Sequence, residues 1–277
     1  MPPTVGVVVP AYRPRPDRLR AYLRDLQAAL RPDELRVELD APGPDGPTDA
    51  SDFDLPDGVD CRVVTRRRGK GAAVTAGFEA LSTDVLAFAD ADGATPADSI
   101  ADVVAPVVAG DADLGVGSRR HPDADVRSHQ TFARRFLGDG FAWMGRRLLD
   151  AALYDYQCGA KAVSADAWDA VRGHLYEPGF AWDIELVAVA AALEYRIAEV
   201  PVTWEDQPGS TVSPVTDTID MGRGLLVARH RARLIRDDRL HRLLDRDDAT
   251  ALVDQRGDDR DRVGDAGAAA GAGGDTR

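Results

Sequence analysis

The sequence predicts an α/β domain, a parallel sheet with helices on both faces. Three observations carry this. Short apolar, β-rich runs alternate with amphipathic or helix-length stretches through the first 117 residues. Charged and glycine-rich clusters come directly after several of the predicted strands, at the carboxyl ends where such sheets take their ligands. A chain of 277 residues with 44% hydrophobic content is also large enough to bury a core around such a sheet.

Residues 4–9 (TVGVVV) form the first strand, ending at Pro10, and Pro14 and Pro16 prolong the turn. Asp17 opens a helix that runs to Leu30, because Leu19, Leu23, Leu26 and Leu30 recur at helical spacing. Residues 34–39 give a second strand, and a loop rich in Pro, Gly and Asp covers 41–58. A strand over 59–65 precedes a helix over 71–81, and a strand over 85–89 precedes a helix over 96–109. The next strand spans 113–117. Beyond it the pattern changes. Residues 127–150 mix aromatics with arginines, 154–163 are β-like, 165–174 and 183–194 are helical, 196–204 form a strand, and 215–245 are helical again. From there Gly, Ala, Asp and Arg dominate without apolar periodicity. The expected organisation is one domain over 1–245 and a disordered tail over 246–277.

Composition excludes several classes. The formal charge is −13, which argues against a nucleic-acid binder. No apolar run approaches the ~18–20 residues of a membrane span, and MPPTVGVVVP lacks the order of a signal peptide. Cys61 and Cys158 are too few for a disulfide scaffold and fit a reducing cytoplasm. Each sign of charge is skewed, with 39 Asp against 8 Glu and 32 Arg against 2 Lys. An Asp-rich, Lys-poor surface suits a salt-loving source; GC-rich codon usage favours the same residues. A chain that nearly avoids lysine keeps it at Lys70 and Lys161.

Three clusters carry the chemistry. Asp90-Ala91-Asp92 follows an apolar strand and precedes Gly93, a placement suited to a hard divalent cation together with ribose or phosphate. The same triplet at Asp52/Asp54 and Asp123/Asp125 lacks a preceding apolar strand and reads as a solvated turn. The run from Arg66 to Ala73 (RRRGKGAA) is a glycine-rich turn entering a helix, whose N–H groups and positive end suit phosphate, although its spacing is not that of a P-loop. The stretch FAWDIEL puts Asp183 and Glu185 at a helix start, where carboxylates also favour the helix dipole. Cys158 has no Cys or His at zinc-ligand spacing.

In order along the chain, VVVPAYRP, RGKGAAV, DADGAT, GSRR, DYQCGAKAV, FAWDIELV, EVPVTW and GSTV resemble the inverting GT-A glycosyltransferases that make polyprenyl-phosphate sugars, and most of all the dolichyl-phosphate glucosyltransferases. The resemblance covers about residues 4–235. It departs at Arg13-Pro14, where the family has Asn-Glu, and in the APGPDGPTD loop after Asp40. It implies a GT-A fold with a Rossmann-like, mainly parallel sheet. It also implies transfer of a hexose, glucose from UDP-glucose, to dolichyl or polyprenyl monophosphate for protein glycosylation. By position, Pro10, Tyr12, Asp40, Lys70 and Asp90 bind the nucleotide sugar, and Asp92 with Asp90 holds Mg²⁺ or Mn²⁺. Arg119 and one of Arg134 or Arg135 grip the acceptor phosphate, Arg135 being the choice at the reacting centre. Asp183 lies beside that centre. The alternatives are a dolichyl-phosphate mannose synthase using GDP-mannose and a sugar nucleotidyltransferase, whose G-x-G-T-R loop is missing at Gly6–Pro10. A catalytically dead membrane adaptor is a third, opposed by the intact Asp90, Asp92 and Lys70.

Residues 127–150 fit a lipid acceptor on their own chemistry. Phe132, Phe136, Phe141, Trp143, Met144 and Leu148 accompany Arg127, Arg134, Arg135, Arg146 and Arg147, a combination that suits an anionic membrane surface. Residues 217–242 add a second arginine-rich stretch. Two core helices with solvated arginines are the alternative. The expected location is cytoplasmic, in peripheral contact with the inner face of the cell membrane.

Overall fold

A computed structural model describes residues 1–41, 54–127, 132–205, 214–238, 241 and 249–257, with the backbone alone for 132–139, 214–220 and 256–257. Along the chain run β1 (Val5–Tyr12), α1 (Pro16–Leu30), β2 (Glu34–Asp40), β3 (Val59–Val64), α2 (Lys70–Phe78), β4 (Val85–Ala89), α3 (Ala97–Val108) and β5 (Leu114–Ser118). They are followed by β6 (Asp125–Arg127), α4 (Phe132–Leu148), β7 (Ala160–Ser164), α5 (Ala165–Val171), α6 (Trp182–Ala192), β8 (Ile197–Pro201), β9 (Thr203–Glu205) and α7 (Pro214–Ile235).

Seven strands form one sheet in the order β3-β2-β1-β4-β7-β5-β8, and β6 pairs with β9 separately. Every pairing in the large sheet is parallel except those of β7, which is antiparallel to β4 and β5. Alternation along β1 builds the two cores. Val7 and Val9 pack with Leu19, Leu23, Leu26 and Ile100 on the α1/α3 face, and Val8 packs with Phe78, Trp182 and Val187 on the α2/α6 face. Helix α6 is buried along its whole length, which is why its apolar residues show no one-sided stripe.

Two predicted strands are shorter than expected. Residues 154–159 are not strand because side chains take their backbone donors. Glu199 accepts from the Tyr154 and Asp155 N–H groups at 2.8 and 2.9 Å, and Asp155 accepts from Gln157 at 3.0 Å. The predicted strand over 196–204 divides after Pro201 into β8 and β9, where a proline cannot donate to a ladder.

The arginine-rich segments also differ from expectation. In α4, Phe141 is buried and Met144 and Leu148 pack against the core, leaving Trp143 (58% exposed), Arg146 and Arg147 outside. The side chains of Phe132, Arg134, Arg135 and Phe136 lie outside the described residues. In and just after α7, four arginines of the predicted basic stretch are tied inward, while Arg223 stays exposed. Arg229 donates to the Leu148 carbonyl, Arg231 pairs with Glu185, and Arg233 and Arg236 pair with Asp150. Arg239 and Arg242 lie outside the described residues. Among the described residues no helix is long and apolar enough to cross a membrane.

The predicted tail starts too early. Ala251 and Leu252 are buried, and the Leu252 N–H donates to the Leu175 carbonyl at 2.8 Å. Residues 258–277 fall outside the described residues. Truncating Leu252 to Ala should therefore cost about 2–3 kcal/mol, as for a buried leucine at the edge of a core. A melting curve indistinguishable from that of the unaltered chain would show that this segment does not belong to the fold.

Candidate active site

The site stands on the carboxyl ends of β1, β2 and β4. Tyr12 and Asp40 end adjacent strands in register. Asp40 is buried and reaches across to the arginine–glycine loop. One of its oxygens accepts from the Arg68 and Gly69 N–H groups at 2.7 and 3.1 Å, and the other from Arg68 Nε at 2.7 Å. The fully buried Glu38 takes the rest of the Arg68 fork at 2.9 Å. Asp40 thus fastens the loop from below. Tyr12 is exposed at the rim, with the Arg67 guanidinium 4.5 Å from its ring centre, within cation–π range.

The turn into α2 is closed against a second loop. Gly69 has φ +100°, and a Cβ there would strike the Pro178 carbonyl; one at Gly71 would strike the Glu177 carbonyl and Trp182. The Gly71 and Ala72 N–H groups donate to the carbonyls of Gly179 and Pro178 at 3.3 and 3.2 Å. The phosphate cradle expected of these amides is therefore corrected. With Asp40 holding the Arg68 and Gly69 N–H groups, four donors at this turn serve the protein itself.

What the turn does present is Lys70. Its ammonium lies 2.9 Å from Asp90 Oδ1 and 3.0 Å from Asp183 Oδ2. Burial works against that charge, yet Asp183 and Asp90 together hold the pKa above the ordinary lysine value, so Lys70 is a cation at neutral pH. The other Asp183 oxygen lies 3.1 Å from the Lys161 ammonium. Both ammonium groups are over the Phe88 ring, at 4.8 and 5.8 Å. A cavity of about 250 Å³ opens beside Lys70, walled by Arg67, Glu177 and the half-exposed Phe180.

Asp92 stays exposed, with Oδ1 accepting from the Ala94 N–H at 3.0 Å. Its carboxyl is pushed above the usual carboxylate range, first by partial desolvation and then by the like charge of Asp90. Among the described residues no three His, Cys, Asp or Glu groups form a metal cage. A site of one or two carboxylates completed by substrate phosphates suits Mg²⁺ or Mn²⁺, and a cation there would relieve the repulsion between Asp90 and Asp92.

Asp90 has its own space requirement. Its N–H donates to the Gly159 carbonyl at 3.0 Å, and a Cβ on Gly159 would overlap its carboxylate. Arg119, at the end of β5, does not reach outward with an open fork as the sequence suggests. Its Nε and Nη2 bind Asp155 at 2.7 and 3.0 Å. Burial alone would raise the Asp155 carboxyl, but Arg119 holds it down at about 2. Burial pushes the Cys158 thiol up to about 11, so it stays protonated near neutral pH. Arg134 and Arg135 occur in the first turn of α4, but their side chains lie outside the described residues. Sequence reasoning thus brought together Tyr12, Asp40, Lys70, Asp90, Asp92 and Asp183. It missed Glu38 and the contacts that Asp155, Gly159 and Lys161 make, although the DYQCGAKAV motif held all three and the scarcity of lysine marked Lys161.

This architecture, a mainly parallel seven-stranded sheet with acidic and basic groups gathered on its carboxyl rim, is that of a GT-A glycosyltransferase. Residues 6–162 match the model of Glycosyl transferase family 2, and the chain belongs to that family. Among curated proteins it is similar to glycosyltransferase AglD of Haloferax volcanii (32% identity, over 80% of this chain and 36% of that protein). It is also similar to dolichyl-phosphate beta-glucosyltransferase of Mus musculus (33% identity, over 61% and 55%). The chain thus spans about half, or less, of the length of these relatives. Among solved structures, glucosyl-3-phosphoglycerate synthase of Mycobacterium tuberculosis with Mn²⁺, UDP and glucosyl-3-phosphoglycerate superposes with TM-score 0.55 at 19% identity, over 83% of this chain and 80% of that one. The same synthase with phosphoglyceric acid gives TM-score 0.58 at 18% identity, over 82% and 80%. At those identities the likeness is one of fold. The Asp-rich, Lys-poor composition fits the similarity to a Haloferax protein.

Two outcomes follow from the site's packing. Gly159→Ala must displace the Asp90 carboxylate, so about 1–3 kcal/mol of stability should be lost; a melting curve indistinguishable from that of the unaltered chain would refute the contact. The Asp155 carboxyl titrates lower in the folded chain than in the unfolded one. Its stabilising contribution, about 2 kcal/mol, is complete above roughly pH 4–5 and disappears as pH falls toward 2. Asp155→Asn should be less stable than the unaltered chain at pH 7, and that gap should close on acidification. A gap that stays constant down to pH 2 would count against the ion pair.

Proposed function

We propose that this chain transfers a hexose, glucose from UDP-glucose, to a dolichyl or polyprenyl monophosphate, with inversion at the anomeric carbon. The observation that carries the reading is the Lys70 ammonium held between Asp90 and Asp183 beside the exposed Asp92 carboxylate, on the carboxyl rim of the sheet. Similarity to proteins named dolichyl-phosphate beta-glucosyltransferase supports the choice of sugar and acceptor.

In the reaction an acceptor phosphate oxygen bonds to the anomeric carbon from the face opposite the diphosphate. The bond from that carbon to the diphosphate oxygen breaks, and its electron pair leaves with the nucleotide. Charge accumulates on the diphosphate, and Lys70 is the cation placed to meet it. Asp92 with Asp90 would hold Mg²⁺ or Mn²⁺, which when bound stabilises the leaving diphosphate. Tyr12, beside Pro10 at the end of β1, offers an exposed ring to the nucleotide, and Asp40 contributes by fixing the loop that carries Arg67 and Lys70.

The acceptor needs little help in becoming a nucleophile, since a phosphate monoester has its second pKa near ~6. Asp183 accepts from an ammonium on each oxygen, an arrangement suited to orienting rather than to removing a proton. For Arg119 to grip the acceptor phosphate with its fork it must exchange Asp155 for the ligand; Arg134 and Arg135 begin α4 and carry the remaining assignment to that phosphate. The outer face of α4, with exposed Trp143, Arg146 and Arg147, suits peripheral contact with an anionic membrane, the inner face of the cell membrane in this reading.

The test is to incubate the full chain with dolichyl phosphate and, in turn, labelled UDP-glucose, GDP-mannose and UDP-N-acetylglucosamine. Glucosyl-lipid of inverted configuration should form with UDP-glucose, disappear with excess chelator or in Asp92→Asn, and return with Mg²⁺ or Mn²⁺ in the unaltered chain. Preference for GDP-mannose would transfer the reading to a mannose synthase, and full activity in excess chelator would remove the metal from it.

A further inference from the structure

Both lysines of this 277-residue chain contact the same carboxylate. Lys70 Nζ is 3.0 Å from Asp183 Oδ2, and Lys161 Nζ is 3.1 Å from Asp183 Oδ1. In exposure and in their other polar partners they differ. Lys70 begins α2 on the cavity wall, is 10% exposed, and has Asp90 as a second anionic partner at 2.9 Å. Lys161 sits in β7 between β4 and β5, fully buried, and its other polar contact is the Cys158 carbonyl at 2.9 Å. A ligand entering from solvent meets Lys70 and not Lys161.

A lysine in the interior of a sheet is a costly choice, and in this nearly lysine-free chain it needs a reason. Neutralising Asp183 in the resting site is not sufficient, because Lys70 already touches it. The difference appears when Lys70 has somewhere else to go. Its alternative partner Asp90 is 40% exposed and can be solvated or ligated, whereas Asp183 is 2% exposed. If Lys70 turned to a ligand without Lys161 present, Asp183 would be left as a buried carboxylate with no cation, which opposes the turn.

We propose that Lys161 is a positioning residue for anion binding, keeping Asp183 paired and oriented when Lys70 turns from it to the diphosphate of a nucleotide. This deepens the reading above and rests on Lys70 being the group that meets the diphosphate. The four side chains Lys70, Lys161, Asp90 and Asp183 are neutral as a set, and Lys161 is the member that stays in place while the others exchange partners. No bond is made or broken in this step.

Binding to the full chain tests it, with UDP and uridine as probes and GDP and guanosine in parallel. In Lys161→Met, Asp183 has Lys70 as its sole cation, so UDP affinity should fall by about tenfold or more while uridine affinity stays within twofold. Lys161→Arg, which restores the charge, should recover part of the loss. A merely structural role would lower both affinities together. Where Lys161→Met does not fold, the double variant Lys161→Met/Asp183→Asn, which strands no carboxylate, is compared with Asp183→Asn alone. Equal UDP affinity of those two is expected, and a further tenfold loss in the double variant overturns the proposal. Lys70→Met separates the layers. If it leaves diphosphate affinity unchanged, the reading of Lys70 fails and takes this inference with it. If it weakens UDP while Lys161→Met does not, this inference alone fails.

Discussion

Asp183 is a carboxylate at the buried start of α6, facing one ammonium from α2 and another from β7. In water two such pairs contribute little. Inside the protein each group must be paired or the buried charge becomes strongly destabilising. The requirement couples the start of α6, the start of α2, the end of β4 through Asp90, and the middle of β7. Phe88 and Trp182 supply the apolar floor, their rings meeting edge to face at 5.7 Å. A displacement of any one of these elements strands a charge, so the site's geometry and the seating of the helices on the sheet are one constraint.

The loop over residues 176–180 is held by the same logic at one remove. The buried Glu185 carboxylate accepts from the Tyr176 and Glu177 N–H groups at 2.8 Å each and pairs with Arg231 of α7. Burial raises the Glu185 carboxyl, with Arg231 and those N–H groups working against the shift. The loop then receives the Gly71 and Ala72 amides. Helix α7, far along the chain, thereby supports the wall of the cavity beside Lys70. Arg229, Arg231 and Arg233 of this helix face inward to protein partners, while Arg223 stays exposed.

Much of the rim was legible because chain order and strand ends carry the information. Tyr12, Asp40 and Asp90 end or directly follow predicted strands and Lys70 lies in the turn after one, and a parallel sheet brings such ends to one side whatever their separation in sequence. Partner choice was not legible. Arg119 and Asp155 each fall in a motif the sequence singles out, GSRR and DYQCGAKAV, but they are 36 residues apart, and neither motif says that the other holds its partner. The amides of the glycine-rich turn looked open to phosphate because the loop that accepts from them comes more than a hundred residues later.

Alternation, helical spacing and the placement of glycine and charge after strands determined on their own that this is an α/β chain with its site on the carboxyl rim, since those are local properties of the backbone and its solvent. Motif order extended that to a glycosyltransferase resemblance. Tertiary structure alone decided which donors are free and which are occupied. It turned Asp40 into the anchor of a loop, closed the α2 amides, gave Arg119 to Asp155, folded Leu252 into the core, and set both lysines on Asp183. The physical reason is that burial forces every charge and amide to find a partner, and the partner found depends on which distant segments the packed sheet and helices bring within about 3 Å.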